Sequence, residues 1–277
     1  MSTGFAALQR ALPQHLLSRG LGTLAASETP WLKDLLIREF ARAYKVSLDE
    51  AEIRDPRAYR SFNDFFTRAL QPDARPVEAD PTVVVHPADG AVSQAGTIAQ
   101  GMLLQAKGHG YRLDTLAGPL ARGLHEGQFC TIYLAPFDYH RVHLPFAGNL
   151  TETLAVPGDL FSVNTTTEAS IPGLFARNER LVCRFETDFG PMLVILVGAL
   201  IVASIETVWP GPASPYETEE RTTHDFNFAK GEEIGRFLLG STVICCFPPG
   251  AVVLDETLQP GCQTRMGMAM ARLADPT

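Results

Sequence analysis

The pattern of hydrophobic and polar positions changes period near residue 80. Before that point, Trp31, Leu32, Leu35, Leu36, Phe40 and Ala43 recur at helical spacing, with Lys33, Asp34, Arg38, Glu39 and Arg42 on the other side. Pro30 just ahead suits the first position of that helix. Ser47 followed by Glu50 has the form of a capping box for another helix. Ser61 precedes a third short amphipathic segment carrying Phe62, Phe65 and Phe66. Ahead of all these, Phe5, Leu8, Leu12, Leu16 and Leu17 form an apolar face with Arg10, His15 and Arg19 as its cations. Pro13 bends or divides that segment. Such a face either packs on the protein's own core or lies against a lipid surface.

From about Thr82 short β-branched runs take over: Val83-Val84-Val85, Thr131-Ile132-Tyr133-Leu134, Leu181-Val182-Cys183, Leu193 to Val197 and Val243-Ile244, parted by Gly, Pro and Asp turns. No helix-length periodic segment recurs with strand alternation, so a parallel doubly wound sheet is not expected. The expected class is α+β, N-terminal amphipathic helices (residues 1–75) followed by a β-rich core (residues 76–277). Residues 211–223, rich in Pro, Glu and Thr, read as an exposed loop.

Composition sharpens this picture in three ways. Hydrophobic residues make up 45% of the 277 and charged residues 19%, which suits a packed core rather than disorder. The net charge of −8 disfavours a nucleic-acid partner and repels the molecule as a whole from an anionic membrane, so any lipid contact needs a local apolar or basic face. Cys130, Cys183, Cys245, Cys246 and Cys262 are odd in number and lack metal-ligand spacing, which points to buried reduced thiols. Cys245 and Cys246, adjacent in a strand, should face opposite sides. The first residues lack the basic and apolar regions of a secretory signal. The apolar stretch 191–205 is shorter than the ~20 residues that span a bilayer and reads better as two buried strands.

Candidate chemistry centres on Leu239-Gly240-Ser241-Thr242, just ahead of a buried run. Glycine leaves its carbonyl open to attack, and the serine hydroxyl lies one residue downstream. Activated by a base, that hydroxyl can convert the Gly240–Ser241 peptide bond to an ester, and elimination would leave a pyruvoyl group at Ser241. A Gly-Ser-Thr tripeptide alone is more often a turn or strand start. Asp89, before Gly90, is by itself a turn residue, but at a strand end its carboxylate can hold a histidine ring. His140 and His143 sit in Ala135-Pro136-Phe137-Asp138-Tyr139-His140-Arg141-Val142-His143-Leu144-Pro145. In a regular strand they would face opposite sides, so they share a pocket only if the chain turns between Pro136 and Pro145. No second cluster supplies metal ligands. The remaining histidines, His15, His86, His109, His125 and His224, suit core or surface roles.

These segments, with His86-Pro87-Ala88-Asp89-Gly90, resemble the phosphatidylserine decarboxylase family. So do Tyr59 to Phe66, Pro157-Gly158-Asp159-Leu160-Phe161-Ser162-Val163-Asn164, Leu174-Phe175-Ala176-Arg177-Asn178-Glu179-Arg180, Gly198 to Trp209 and Thr264-Arg265-Met266-Gly267. The likeness runs from about Leu8 to about Met268. It implies a proenzyme that cuts itself between Gly240 and Ser241, with His143 as base, Asp89 as orienting acid and Ser241 as nucleophile. It further implies that the pyruvoyl group derived from Ser241 forms a Schiff base with phosphatidylserine, that His140 serves proton transfer in the decarboxylation, and that no diffusible cofactor or metal is needed. A homodimer of cleaved protomers, peripheral on the cytoplasmic face of the cell membrane, is implied as well. Residues 159–167 could cover the head group. Two other readings stay open on the residues alone: a serine hydrolase acting on an external substrate, which lacks the Gly-x-Ser-x-Gly elbow, and a non-catalytic β-rich binding domain with an amphipathic anchor.

Overall fold

The computed structural model describes residues 14–163, 165–168, 170–199, 205–238 and 241–275. Strand accounts for 38% of the chain and helix for 19%, with the helices leading, so the fold is α+β. Helix α1 spans Gln14–Ala25 and α2 spans Pro30–Tyr44, with the proline in its first turn. Short helices follow: α3 (Phe62–Phe66), α4 (Leu113–Ala117), α5 (Thr165–Glu168) and α6 (Leu174–Arg177). The strands, in chain order, begin with β1 (Val83–Val85), β2 (Gly90–Thr97), β3 (Met102–Leu104), β4 (Gly110–Arg112), β5 (Gln128–Leu134) and β6 (Arg141–His143). Next come β7 (Gly148–Val156), β8 (Arg180–Thr187), β9 (Gly190–Gly198), β10 (Ile205–Thr207) and β11 (Glu220–Phe228). The last are β12 (Glu233–Phe237), β13 (Ser241–Phe247), β14 (Val252–Leu254), β15 (Gln263–Thr264) and β16 (Ala269–Leu273).

One antiparallel sheet in the order β11-β7-β8-β9-β13-β5-β2-β15 organises the molecule. Smaller sheets β10-β12-β6 and β1-β16-β14 cover one face, where Val84, Val142, Leu144, Ile234, Phe237 and Met270 meet Cys130, Ile132, Val243 and Cys245. On the other face Leu113, Leu116, Leu120, Leu174 and Phe175 meet Ile195, Ile244 and Cys246. Cys245 and Cys246 therefore serve opposite cores, as strand alternation requires. All five cysteines are free, and four are buried.

The N-terminal helices hold a third core of Ala25, Ile37, Tyr59, Phe62, Phe65 and Phe66. Here the helical face differs from the one that periodicity gave. Trp31 and Leu35 point outward, at 70% and 39% exposure, while Ile37 and Lys33 are buried. Packing against the Phe62–Phe66 cluster turns the helix this way, and Lys33 still places its ammonium on Arg57 O and Asp34. Ser47 starts no helix: its hydroxyl accepts from the Asp49 N–H in a local turn, and Glu50 is drawn off to Arg75 and Arg265. Residues 220–223 of the expected loop pair with β7 as the start of β11, and Tyr216 is buried. The apolar face of residues 5–17 lies outside the described residues and side chains.

Phe65 is fully buried, with Phe40, Tyr59 and Phe62 around its ring. Phe65→Ala is expected to cost about 3–5 kcal/mol, read from urea unfolding. A loss well under 1 kcal/mol would show that this cluster contributes little.

Candidate active site

Ser241 opens the central strand β13, paired to Leu134 of β5 on one side and to Gly198 of β9 on the other. Every residue of β13 is buried. Ser241 is 0% exposed, and its Oγ has no hydrogen-bond partner among the described residues. A buried hydroxyl without a partner costs roughly 1–3 kcal/mol, so such a group calls for a reason. Alternation sets Ser241 on the side of Val243, Cys245 and Phe247, facing the core that β6 and β12 cover. Gly240 lies outside the described residues.

Three segments converge on this end of the sheet. Beyond Leu134 the chain turns through residues 135–140, with the Ala135 N–H donating to Asp138 at 2.7 Å, and then enters β6. Strand β6 pairs with β12, the strand that leads toward Ser241, and the Phe237 N–H donates to the His140 carbonyl at 3.0 Å. On the far side of β5, Ala91 pairs with Tyr133, which brings Asp89 to the same sheet end. Gly90 is required there: φ is +154°, and a Cβ would lie 2.3 Å from the Tyr133 carbonyl oxygen.

The N-terminal helices hold the turn in place. Arg68 donates to the Phe137 carbonyl at 2.9 Å, Arg141 donates to the Thr67 carbonyl at 2.9 Å, and the Phe66 ring lies 4.0 Å from that of His140. Burial pushes the Asp138 carboxyl up to about 6, against the Ala135 N–H that favours its charged form.

His140 is 0% exposed. Its Nδ1 lies 2.9 Å from the Asp138 carbonyl, which can only accept, so Nδ1 carries the proton and Nε2 a lone pair. That Nε2 has no partner among the described residues. Burial drives the imidazole down to about 3, more than the Asp138 carbonyl raises it. His143 is buried too, with Nδ1 2.9 Å from the Gly231 carbonyl and Nε2 3.0 Å from the Tyr139 hydroxyl. Burial lowers it as well, despite Gly231, Glu233 and Asp89.

Asp89 makes no hydrogen bond to either histidine in this structure. Arg75 clamps it instead, with Nε at 2.9 Å from Oδ1 and Nη2 at 2.5 Å from Oδ2, while the Met266 N–H donates to Oδ1 at 2.9 Å. A guanidinium fork matches a carboxylate better than a neutral ring N–H does, and with little water present the ion pair prevails. Burial alone would lower Arg75, but the bonds and charges of Asp89 and Glu50 outweigh it and raise it. Glu50 joins Arg75 at 2.8 Å and Arg265 at 2.6 Å, and the Arg75 bond is the main reason its carboxyl lies below the ordinary range. Arg75 and Tyr139 both escaped sequence reading. Nothing around Ala74-Arg75-Pro76 signals a partner 14 residues on. The i, i+4 spacing of Tyr139 and His143 was readable, but only a turned chain brings the two rings together. Asp89, Arg75, Arg68, Asp138 and Tyr139 line a cleft of about 520 Å³.

Among the other histidines, His125 pairs with Asp114 at 2.8 Å and His224 meets Thr153 Oγ1 at 2.8 Å. No group of three His, Cys, Asp or Glu among the described residues could hold a metal ion.

A family model described as phosphatidylserine decarboxylase matches residues 62–272, and a second, described as PSD, matches residues 5–45. The chain belongs to the phosphatidylserine decarboxylase family. It is accordingly a decarboxylase, a lyase. Relatives named phosphatidylserine decarboxylase proenzyme include one from Alcanivorax borkumensis, 52% identical over 95% of this chain and 93% of its own length. Those of Azotobacter vinelandii and Bordetella avium are each 50% identical; the shares covered are 95% and 96% of this chain and 96% and 94% of theirs. The fold brings Ser241, Asp89 and the two histidines from distant segments to one sheet end.

Arg75→Met should leave the Asp89 carboxylate buried without a counter-charge and cost about 3–5 kcal/mol. Arg75→Lys, which keeps charge but not the fork, should fall between it and the unaltered chain in urea unfolding. Equal stability of all three would mean that the clamp is not a structural element.

Proposed function

We propose that the chain converts phosphatidylserine to phosphatidylethanolamine and carbon dioxide after cutting itself between Gly240 and Ser241. The observation that carries this is the Ser241 hydroxyl: buried, without a partner among the described residues, and first in the central strand at the sheet end where Asp89, His140 and His143 gather. The printed word proenzyme in the relatives' names supports self-processing. After the cut the C-terminal piece stays bound, since β13 is flanked by β5 and β9, β15 pairs with β2 and β16 with β1. The site fits a pyruvoyl group at residue 241, because that position combines enclosure with a serine hydroxyl that bonds to none of the described residues. Such a group supplies an electron sink for the pair released with carbon dioxide.

His143 acts as the base for Ser241, and Asp89 is the acid that supports it; in the resting arrangement that support is through charge rather than a hydrogen bond. Burial keeps His143 neutral, which is the form a base needs. His140 presents an Nε2 lone pair, so it cannot begin as a donor. Its assigned role is delivery of a proton to carbon after carbon dioxide leaves, and its Nε2 must first take up that proton.

The helical N-terminal part meets the membrane from the cytoplasmic face as a peripheral contact, and the cleaved protomers pair as a homodimer. Leu21 and Leu24 of α1 with Trp31 and Leu35 of α2 are exposed apolar side chains that support the lipid contact. No described helix is long and apolar enough to cross a membrane.

Ser241→Ala and His143→Ala are expected to remain uncut on a gel, and Asp89→Asn to cut slowly. His140→Ala should be cut yet release carbon dioxide ~10²–10⁴-fold more slowly. An intact, fully active chain retaining its Ser241 hydroxyl would overturn the pyruvoyl reading, and an uncut His140→Ala beside a normally cut His143→Ala would reverse the two histidines. Replacing Leu24 and Trp31 together by Gln should weaken cosedimentation with phosphatidylserine-containing vesicles while leaving cleavage unchanged. Unchanged vesicle binding would place the lipid contact elsewhere.

A further inference from the structure

Both ring nitrogens of His143 are occupied, and neither by Asp89. The Gly231 carbonyl at 2.9 Å can only accept, so Nδ1 bears the proton. The neutral ring then has one lone pair, on Nε2, and the Tyr139 hydroxyl donates to it at 3.0 Å. The Gly231 carbonyl selects this tautomer, and the Tyr139 hydroxyl, which can donate or accept, then serves as donor. Tyr139 is itself buried, and its ring lies 5.7 Å from that of His143 with 30° between the planes. It also lines the cleft that Asp89 and Arg75 border.

We propose that Tyr139 is a positioning residue for self-cleavage, holding Nε2 of His143 as the atom that receives the proton. The proposal rests on the reading of His143 as base. In the resting chain the phenol is a hydroxyl donor in the role that the Ser241 hydroxyl takes during the reaction. It keeps a buried nitrogen from standing unpaired and fixes the rotation of the ring about the Gly231 bond. This is the work that a triad assigns to the acid, and here Asp89 is engaged by Arg75. The rest of the surroundings add charge without a bond to the ring: Glu233 opposite His143 on β12, Arg141 on β6, and Asp89 ahead of β2.

Tyr139→Phe removes one oxygen and retains the ring. The rate of cutting of the freshly made chain is followed on a gel from about pH 8 to about pH 5.5, the range in which a histidine base titrates, beside the unaltered chain and His143→Ala. Cutting should be about tenfold slower near neutral pH, the scale of one lost hydrogen bond. The phenol donates only to the neutral ring, so its loss favours the imidazolium and should move the acid limb of the profile to higher pH. Ring-nitrogen NMR of the uncut Ser241→Ala chain gives a readout independent of rate. Adding Tyr139→Phe there should let His143 take up its proton at a higher pH. A rate and acid limb equal to those of the unaltered chain would overturn the proposal. So would a uniformly slower profile with an unmoved limb, which is what lost packing alone produces. If His143→Ala cuts normally, the reading of the base itself fails; if it stays uncut while Tyr139→Phe behaves as the unaltered chain, only the role of Tyr139 fails.

Discussion

Between β5 and β9, the chain from Ser241 to Phe247 has no side chain in contact with water. Val243, Cys245 and Phe247 pack into one core, and Ile244 and Cys246 pack into the other. A strand buried on both faces is ordinarily apolar throughout, and Ser241 and Thr242 break that rule with hydroxyls that have no partner among the described residues. The hydroxyl of Ser241 is therefore held out of water by the same packing that stabilises the sheet. A scissile bond placed there excludes competing water, and the strand pairing on both sides retains the new end once the bond is broken.

Low polarity also governs the charges nearby. Burial favours the neutral form of both histidines, and the Asp89 carboxylate at the sheet end is balanced by a guanidinium rather than by an imidazolium. The chain of contacts Arg265–Glu50–Arg75–Asp89–Met266 N–H joins the N-terminal part, the core and the C-terminal piece. Asp89 is thereby fixed by residues on both sides of the proposed cut, and its geometry survives the cut only while the two pieces stay together.

The N-terminal helices do more than offer an apolar surface. Phe66 against His140, Arg68 on the Phe137 carbonyl and the Thr67 carbonyl under Arg141 set the turn that carries both histidines. That turn is what brings residues three apart to one end of the sheet. An event that moves the helices is thus mechanically coupled to the turn that carries both histidines, through packing that is already in place.

The sequence by itself determined the α+β class, the positions of the main strands and the opposite faces of Cys245 and Cys246, and it singled out Asp89, His140, His143 and Ser241 as the candidates for chemistry. These follow from period, turn residues and motif, which are local properties of the chain. It misjudged Ser47 and the outward face of α2 for the same reason, since capping and periodicity yield where tertiary partners compete. Only the tertiary structure decided that Arg75 faces Asp89, that Tyr139 faces His143 and that the Ser241 hydroxyl is buried without a partner among the described residues. The first two pairs are only 14 and 4 residues apart, yet the contacts that hold them come from far along the chain, with Met266 lying 177 residues beyond Asp89 and Gly231 lying 88 beyond His143. No local pattern encodes such pairings; they arise when the sheet closes around β13 and the polar groups it excludes from water must find one another.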